Sequence, residues 1–107
     1  VIARAGINTL LEVALKSAPA LMIPIPVGRE QIENADYFKK LGLGEVLLEK
    51  EIRPEVFVKK IKDMLDRRTG LKHLALQAKK AVVLDGDKKM VQEILLILNE
   101  QLNLGLN

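Results

Sequence analysis

No cysteine occurs in the 107 residues, tryptophan is absent, and one tyrosine and two phenylalanines are the only aromatic rings. Without cysteine there are no disulfides and no thiolate metal ligands, a composition that suits a reducing cytoplasm. With only Tyr37, Phe38 and Phe57 as rings, the core has to be built from Leu, Ile, Val and Ala. No apolar run approaches the ~18 residues that a membrane span requires, and no stretch reads as a signal peptide. An excess of one charge is also lacking: 17 basic against 14 acidic residues leave a net charge of +3. That balance does not call for a nucleic acid partner. No internal repeat, low-complexity segment or linker interrupts the chain, and no nucleophile–base pair or metal cluster stands out.

What is present is an ordinary globular composition, 49% hydrophobic and 29% charged, in a length that suits one domain at most. A chain of this size buries roughly two-thirds of its unfolded surface. The apolar pattern predicts alternating strands and helices. Val1 to Ala3 reads as the end of a strand, Gly6 as a turn, and Asn8 or Thr9 to Lys16 as a helix with Leu10, Leu11, Ala14 and Leu15 on its apolar side. Ala20 to Ile25 is an unbroken apolar run, the form of a fully buried parallel strand, which must leave the sheet near Pro24 and Pro26 because proline lacks a backbone donor. Glu30 to Lys40 has Ile32, Ala35, Phe38 and Leu41 at helical spacing, with Gly42 and Gly44 as its stop. Gly44 to Glu49 (GEVLLE) reads as a third strand.

Beyond residue 50 the pattern is helical. Pro54 opens a helix with Val58, Ile61 and Leu65 along one side, and Thr69-Gly70 is read as its end. Leu71 to about Val83 forms another, and Asp85 or Asp87 is read as capping a last one that carries Met90, Val91, Ile94, Leu95, Ile97 and Leu98. Asp85-Gly86-Asp87 lacks the later ligands of a calcium loop, and the lone His73 lies in a helix, away from the strand ends. The expectation is an α/β chain of about three parallel strands with helices and a helical C-terminal third. It forms a single partial domain over 1–107, divided into a βαβαβ part (1–50) and a helical part (51–107). Because residue 1 already lies in a strand and three strands make a small open sheet, the chain is expected to be a piece of a longer one.

Ligands of such sheets collect at the carboxyl ends of the strands. The first handover is Arg4-Ala5-Gly6-Ile7-Asn8-Thr9. Gly6 permits close backbone approach, Asn8 or Thr9 can cap the following helix, and the free N–H groups of its first turn, with the dipole, suit a phosphate. Glu12, about one turn on, suits the two hydroxyls of a ribose. Arg4 is either a brace against a carboxylate or a ligand contact. The second handover is Pro24-Ile25-Pro26-Val27-Gly28-Arg29-Glu30-Gln31, followed by Asn34. Gln31 and Asn34 are three apart on one helix face, and each amide both donates and accepts, which suits sugar hydroxyls and an acetamido group. Arg29 either approaches a phosphate or faces solvent.

Arg4-Ala5-Gly6-x-Asn8-Thr9-x-x-Glu12, Pro19, Pro24-x-Pro26 and Gln31-x-x-Asn34-Ala35 together resemble the C-terminal domain of glycosyltransferase family 28. Within that family the likeness is to the bacterial enzymes that add N-acetylglucosamine to the lipid-linked peptidoglycan precursor. It is specific over residues 1 to about 50 and general beyond. The resemblance implies a GT-B architecture of two Rossmann-like domains, with the sugar nucleotide held mainly by the C-terminal one. It implies that Ile7, Asn8 and Thr9 hold the diphosphate, Glu12 the ribose, and Gln31 and Asn34 the N-acetylglucosamine. Glu30 occupies a place where the family often carries an amide or acid. The implied partners are UDP-N-acetylglucosamine and, through an N-terminal domain outside this chain, a lipid-linked acceptor. Catalysis without metal or cofactor is implied, with the base supplied by that other domain, so the 107 residues alone are expected to be inactive. The implied setting is peripheral, on the cytoplasmic face of the cell membrane. A dolichol-linked relative sharing this domain is a sub-variant. The rival class is a non-catalytic helical module binding an acidic membrane or a protein. In that reading the pairs Lys59-Lys60, Arg67-Arg68, Lys79-Lys80 and Lys88-Lys89 align on one side with apolar neighbours. An open sheet edge also raises the expectation of self-association.

Overall fold

The structure, a computed structural model, describes residues 1–85 together with Leu96. Three parallel strands, β1 (Ile2–Ala3), β2 (Ala20–Met22) and β3 (Gly44–Val46), lie side by side in that order. Ile2 pairs with Leu21, and Leu21 in turn with Glu45. The crossovers are α1 (Ile7–Leu15) and α2 (Glu30–Leu41), and β3 is followed by α3 (Pro54–Asp66) and α4 (Arg68–Asp85).

The two-residue period of β2 divides the core between the faces of the sheet. Ala20 and Met22 join Leu10, Leu11, Val13 and Ala14 of α1, Ala35 and Phe38 of α2, and Ala78 and Val82 of α4. Leu21 and Ile23 point the other way, where Leu47 and the α3 residues Phe57, Ile61 and Met64 cover them. Phe38, Leu10, Leu21 and Met22 are essentially fully buried, each worth about 1.5–3 kcal/mol relative to exposure. α4 buries Leu71, Ala75, Ala78 and Val82, a stripe at helical spacing. It is tied further by Lys72, whose Nζ donates to the Ser17 carbonyl just after α1 (2.8 Å).

Two glycines are set by geometry. Gly42 ends α2 in the left-handed region, φ 103°, where a side chain would also press within 2.7 Å of the Leu74 carbonyl oxygen. Gly44 begins β3 rather than helping to stop α2. A Cβ there would overlap the Ala20 carbonyl oxygen on the neighbouring strand, so only glycine lets β2 and β3 come to pairing distance.

Several expected boundaries move. β2 ends at Met22 rather than Ile25. Its last donor is the Ile23 N–H, bonded to the Ala3 carbonyl (2.8 Å), and Pro24 then has none to give. β3 stops at Val46, after which Leu47 donates to Met22 and the chain turns into a short 3-10 helix over Glu49–Glu51. Neither Asn8 nor Thr9 caps α1: the helix starts at Ile7 with Gly6 in the cap position and no side-chain cap bond. Thr69 and Gly70 do not end α3 but sit in the first turn of α4; the break falls at Arg67. The Arg67 guanidinium bonds Asp63 (2.8 Å) and Glu45 (3.3 Å). Its pKa is raised chiefly by the hydrogen bonds it donates to Asp63. Asp85 is the last residue of α4; Gly86, Asp87, Lys88-Lys89 and, apart from the helical Leu96, the helix read over Met90 to Leu98 lie outside the described residues.

Candidate functional site

The carboxyl ends of β1 and β2 open into two loops, Arg4–Gly6 and Ile23–Arg29, and helices α1 and α2 start from them. α1 begins with an end that favours an anion. Its cap residue is glycine, its first turn contains no acid, and no side chain occupies its N-terminal N–H groups. In an α-helix the N–H groups of the first turn have no intrahelical acceptor. Ile7, Asn8 and Thr9 therefore present donors at the positive end of the helix dipole. The Asn8 and Thr9 side chains are exposed.

Gln31 and Asn34 do come to the same place, but their amides are partly committed. Gln31 Oε1 accepts from the backbone N–H of Ala5 (3.1 Å) and from that of Ile25 (2.9 Å). Asn34 Nδ2 donates to the Ala5 carbonyl (3.0 Å). Both backbone polar groups of the buried Ala5 are thus satisfied by side chains of α2. The next residue, Gly6, faces Gln31: a Cβ built on it would lie 3.9 Å from Gln31 Nε2. The expectation that each amide offers both polarities is corrected for Gln31, whose oxygen is taken twice, while Asn34 keeps its carbonyl oxygen and a second N–H.

Glu12 lies one helical turn beyond Asn8 on α1, half-buried, and pairs with Lys16 (3.1 Å). Exposed pairs of this kind contribute only about 0.3–0.5 kcal/mol, so the carboxylate exchanges partners at little cost. Arg4 takes the bracing role: its Nη1 bonds Glu49 Oε2 (2.9 Å) and the Ile23 carbonyl (3.4 Å). Glu49 carried no signal of its own, since its partner lies 45 residues away. Arg29 and Glu30 are exposed where α2 starts, and no side chain caps that helix. A groove of about 510 Å³ adjoins the same end of the sheet, lined by Pro24, Pro26, Ile32, Leu48, Glu49 and Lys50. A second cavity, about 550 Å³, is lined by Val1, Ile2, Leu21, Ile61, Met64 and Leu65 and lies at the opposite, amino ends of the strands. His73 is exposed on α4. Among the described residues no helix is long and apolar enough to cross a membrane.

A parallel sheet with an uncapped helix start and convergent amides at its carboxyl edge defines an α/β unit of the Rossmann-like kind. The glycosyltransferase family 28 C-terminal domain model matches residues 1–93, and the chain belongs to that family. It is 36% identical over 93 residues to the UDP-N-acetylglucosamine--N-acetylmuramyl-(pentapeptide) pyrophosphoryl-undecaprenol N-acetylglucosamine transferase of Treponema denticola, covering 82% of this chain and 24% of that protein. The Geobacter sulfurreducens protein of the same name is 34% identical over 96 residues, covering 88% of this chain and 26% of that one. The crystal structure of Acinetobacter baumannii MurG superposes with a TM-score of 0.68 at 27% identity, over 87% of this chain and 26% of that structure. The chain thus spans about a quarter of the length of these relatives.

Proposed function

We propose that this chain is the donor-binding part of a glycosyltransferase that moves N-acetylglucosamine from UDP-N-acetylglucosamine to a lipid-diphosphate-linked acceptor in peptidoglycan precursor synthesis, on the cytoplasmic face of the membrane. The observation that carries this reading is the meeting of an uncapped, acid-free helix start with two side-chain amides at one strand end. The diphosphate lies against the N–H groups of Ile7, Asn8 and Thr9, where the helix dipole favours negative charge. Glu12 leaves Lys16 to accept from the ribose hydroxyls. Gln31 and Asn34 meet the sugar through their free amide ends, and Arg29 and Glu30 border the same opening. The identically named Treponema and Geobacter relatives support the choice of sugar nucleotide and acceptor. Activation of the acceptor hydroxyl is left to parts of the protein outside these residues.

The test is a chimera of the Treponema denticola relative in which this chain replaces the matching C-terminal quarter. Transfer of N-acetylglucosamine and binding of UDP-N-acetylglucosamine are expected. Glu12→Ala in the chimera weakens donor binding by about 1–3 kcal/mol, the penalty for polar groups left unpaired, and leaves thermal stability nearly unchanged. Calorimetry giving equal affinity for both proteins would remove Glu12 from the site.

The outer edge of β1 is the other functional surface we propose, as a place of self-association for the isolated chain. Val1 and Ile2 are 63% and 54% exposed there, beside the apolar cavity at the strand starts. An unpaired edge templates pairing with another chain. Light scattering should show mass rising with concentration; a clean monomer across the range argues against it.

A further inference from the structure

We propose that Gln31 and Asn34 form a clip that holds the two strand-end loops together and, by doing so, leaves Gln31 with donors alone toward a ligand. Gln31 Oε1 stands between the N–H groups of Ala5 and Ile25, one on each loop. The opposite orientation of this amide would set an NH2 group against two N–H donors, with no acceptor among them. Asn34 is fixed by the same logic in reverse: its Nδ2 meets the Ala5 carbonyl oxygen, and a flipped amide would place oxygen against oxygen. Neither side chain can turn over without breaking bonds to partly buried backbone. What remains for a ligand is the NH2 group of Gln31, and on Asn34 the carbonyl oxygen together with the second N–H.

The consequence is a directional subsite. A ligand group there has to accept from Gln31, as a hydroxyl or carbonyl oxygen can and an ammonium group cannot. Gly6 borders the Gln31 donor, and a Cβ built there would lie 3.9 Å from Nε2, in ordinary van der Waals contact. The clip also explains why Ala5 is completely buried although it lies in a loop: its peptide groups have partners that replace water. The α1 N-terminus follows Ala5 directly, so the clip positions the helix start as well as the amides.

The clip is tested without any ligand, by amide hydrogen exchange on this chain. Glu at position 31 retains an acceptor for both N–H groups, while Met is similar in size and has none. In Gln31→Glu, protection of the Ala5 and Ile25 amides stays within about threefold of wild type. In Gln31→Met, both amides exchange at least about tenfold faster, while the Leu21 amide in β2 is unchanged, which separates a lost clip from a lost fold. Wild-type protection in Gln31→Met, or equal loss in the two variants, overturns the clip. The ligand polarity rests on the function proposed above and is read in the chimera: Gln31→Glu turns the free donor into a carboxylate oxygen and lowers affinity for UDP-N-acetylglucosamine at least about tenfold more than for UDP. Equal losses for the two nucleotides overturn the polarity assignment. A wild-type chimera that binds neither overturns the function proposed above, while the exchange result still decides the clip.

Discussion

Gly44→Ala is expected to lower the melting temperature by about 12–25 °C, measured by circular dichroism or calorimetry. The added methyl group would overlap the Ala20 carbonyl oxygen, which is backbone in the central strand and cannot swing away like a side chain. Relief requires β2 and β3 to part, which breaks the pairings of Ala20, Leu21 and Met22 with Gly44, Glu45 and Val46. It also disturbs Phe38 and Leu43, buried at the same junction. A cost of about 3 kcal/mol or more follows, and a domain of this size loses roughly 4–8 °C per kcal/mol. Gly70→Ala in the same series provides the opposite sign. Gly70 is helical with nothing within 4 Å of a built Cβ, so alanine gains helix propensity, about 0.5–1 kcal/mol. Two glycines with the same substitution thus separate close strand packing from helix propensity. A Gly44→Ala protein as stable as wild type would mean that the β2–β3 register is not the one described.

That contrast also marks what the sequence could and could not convey. The alternation of strands and helices was legible, because apolar spacing reports which face of an element is buried. The parallel sense and the helical region after residue 54 followed from it, while the strand order β1-β2-β3 came from the structure. Glycine was less transparent, since the residue type says that a side chain is excluded but not by what. Gly42 and Gly44 looked like one helix stop, yet Gly42 is needed for its left-handed backbone and Gly44 for a neighbouring strand. Thr69-Gly70 resembled a terminator, but the buried stripe of Leu71, Ala75, Ala78 and Val82 carries α4 through it, packing outweighing a propensity cost of about 1 kcal/mol. At the site, Asn8 and Thr9 look like caps because their side chains often are. Gly6 precedes them and takes that place, which leaves more free donors than expected. Gln31 and Asn34 were identifiable by spacing, whereas their committed ends were not: the partner peptide of Ala5 is 26 and 29 residues away, beyond any local pattern.

The uncapped start of α1 yields a prediction in which stability and binding move in opposite directions. Asn8→Asp places a carboxylate in a first turn that has no acid and no side-chain cap. In the unliganded chain this charge faces free N–H groups and the positive end of the dipole, so stability should rise by about 0.3–1 kcal/mol. In the chimera the same carboxylate occupies the place of the diphosphate and repels it. At a separation near 5 Å, and after discounting for solvent, the repulsion is about 2 kcal/mol, or roughly thirtyfold in affinity for UDP-N-acetylglucosamine. A purely structural helix start would be improved by the substitution in every respect, so the sign of the binding change decides between the two roles. Raising the salt to about 1 M should shrink both effects, since the Debye length falls to about 3 Å. A gain in stability with no loss of donor affinity would take the diphosphate away from α1 and leave its bare N-terminus as a loop junction.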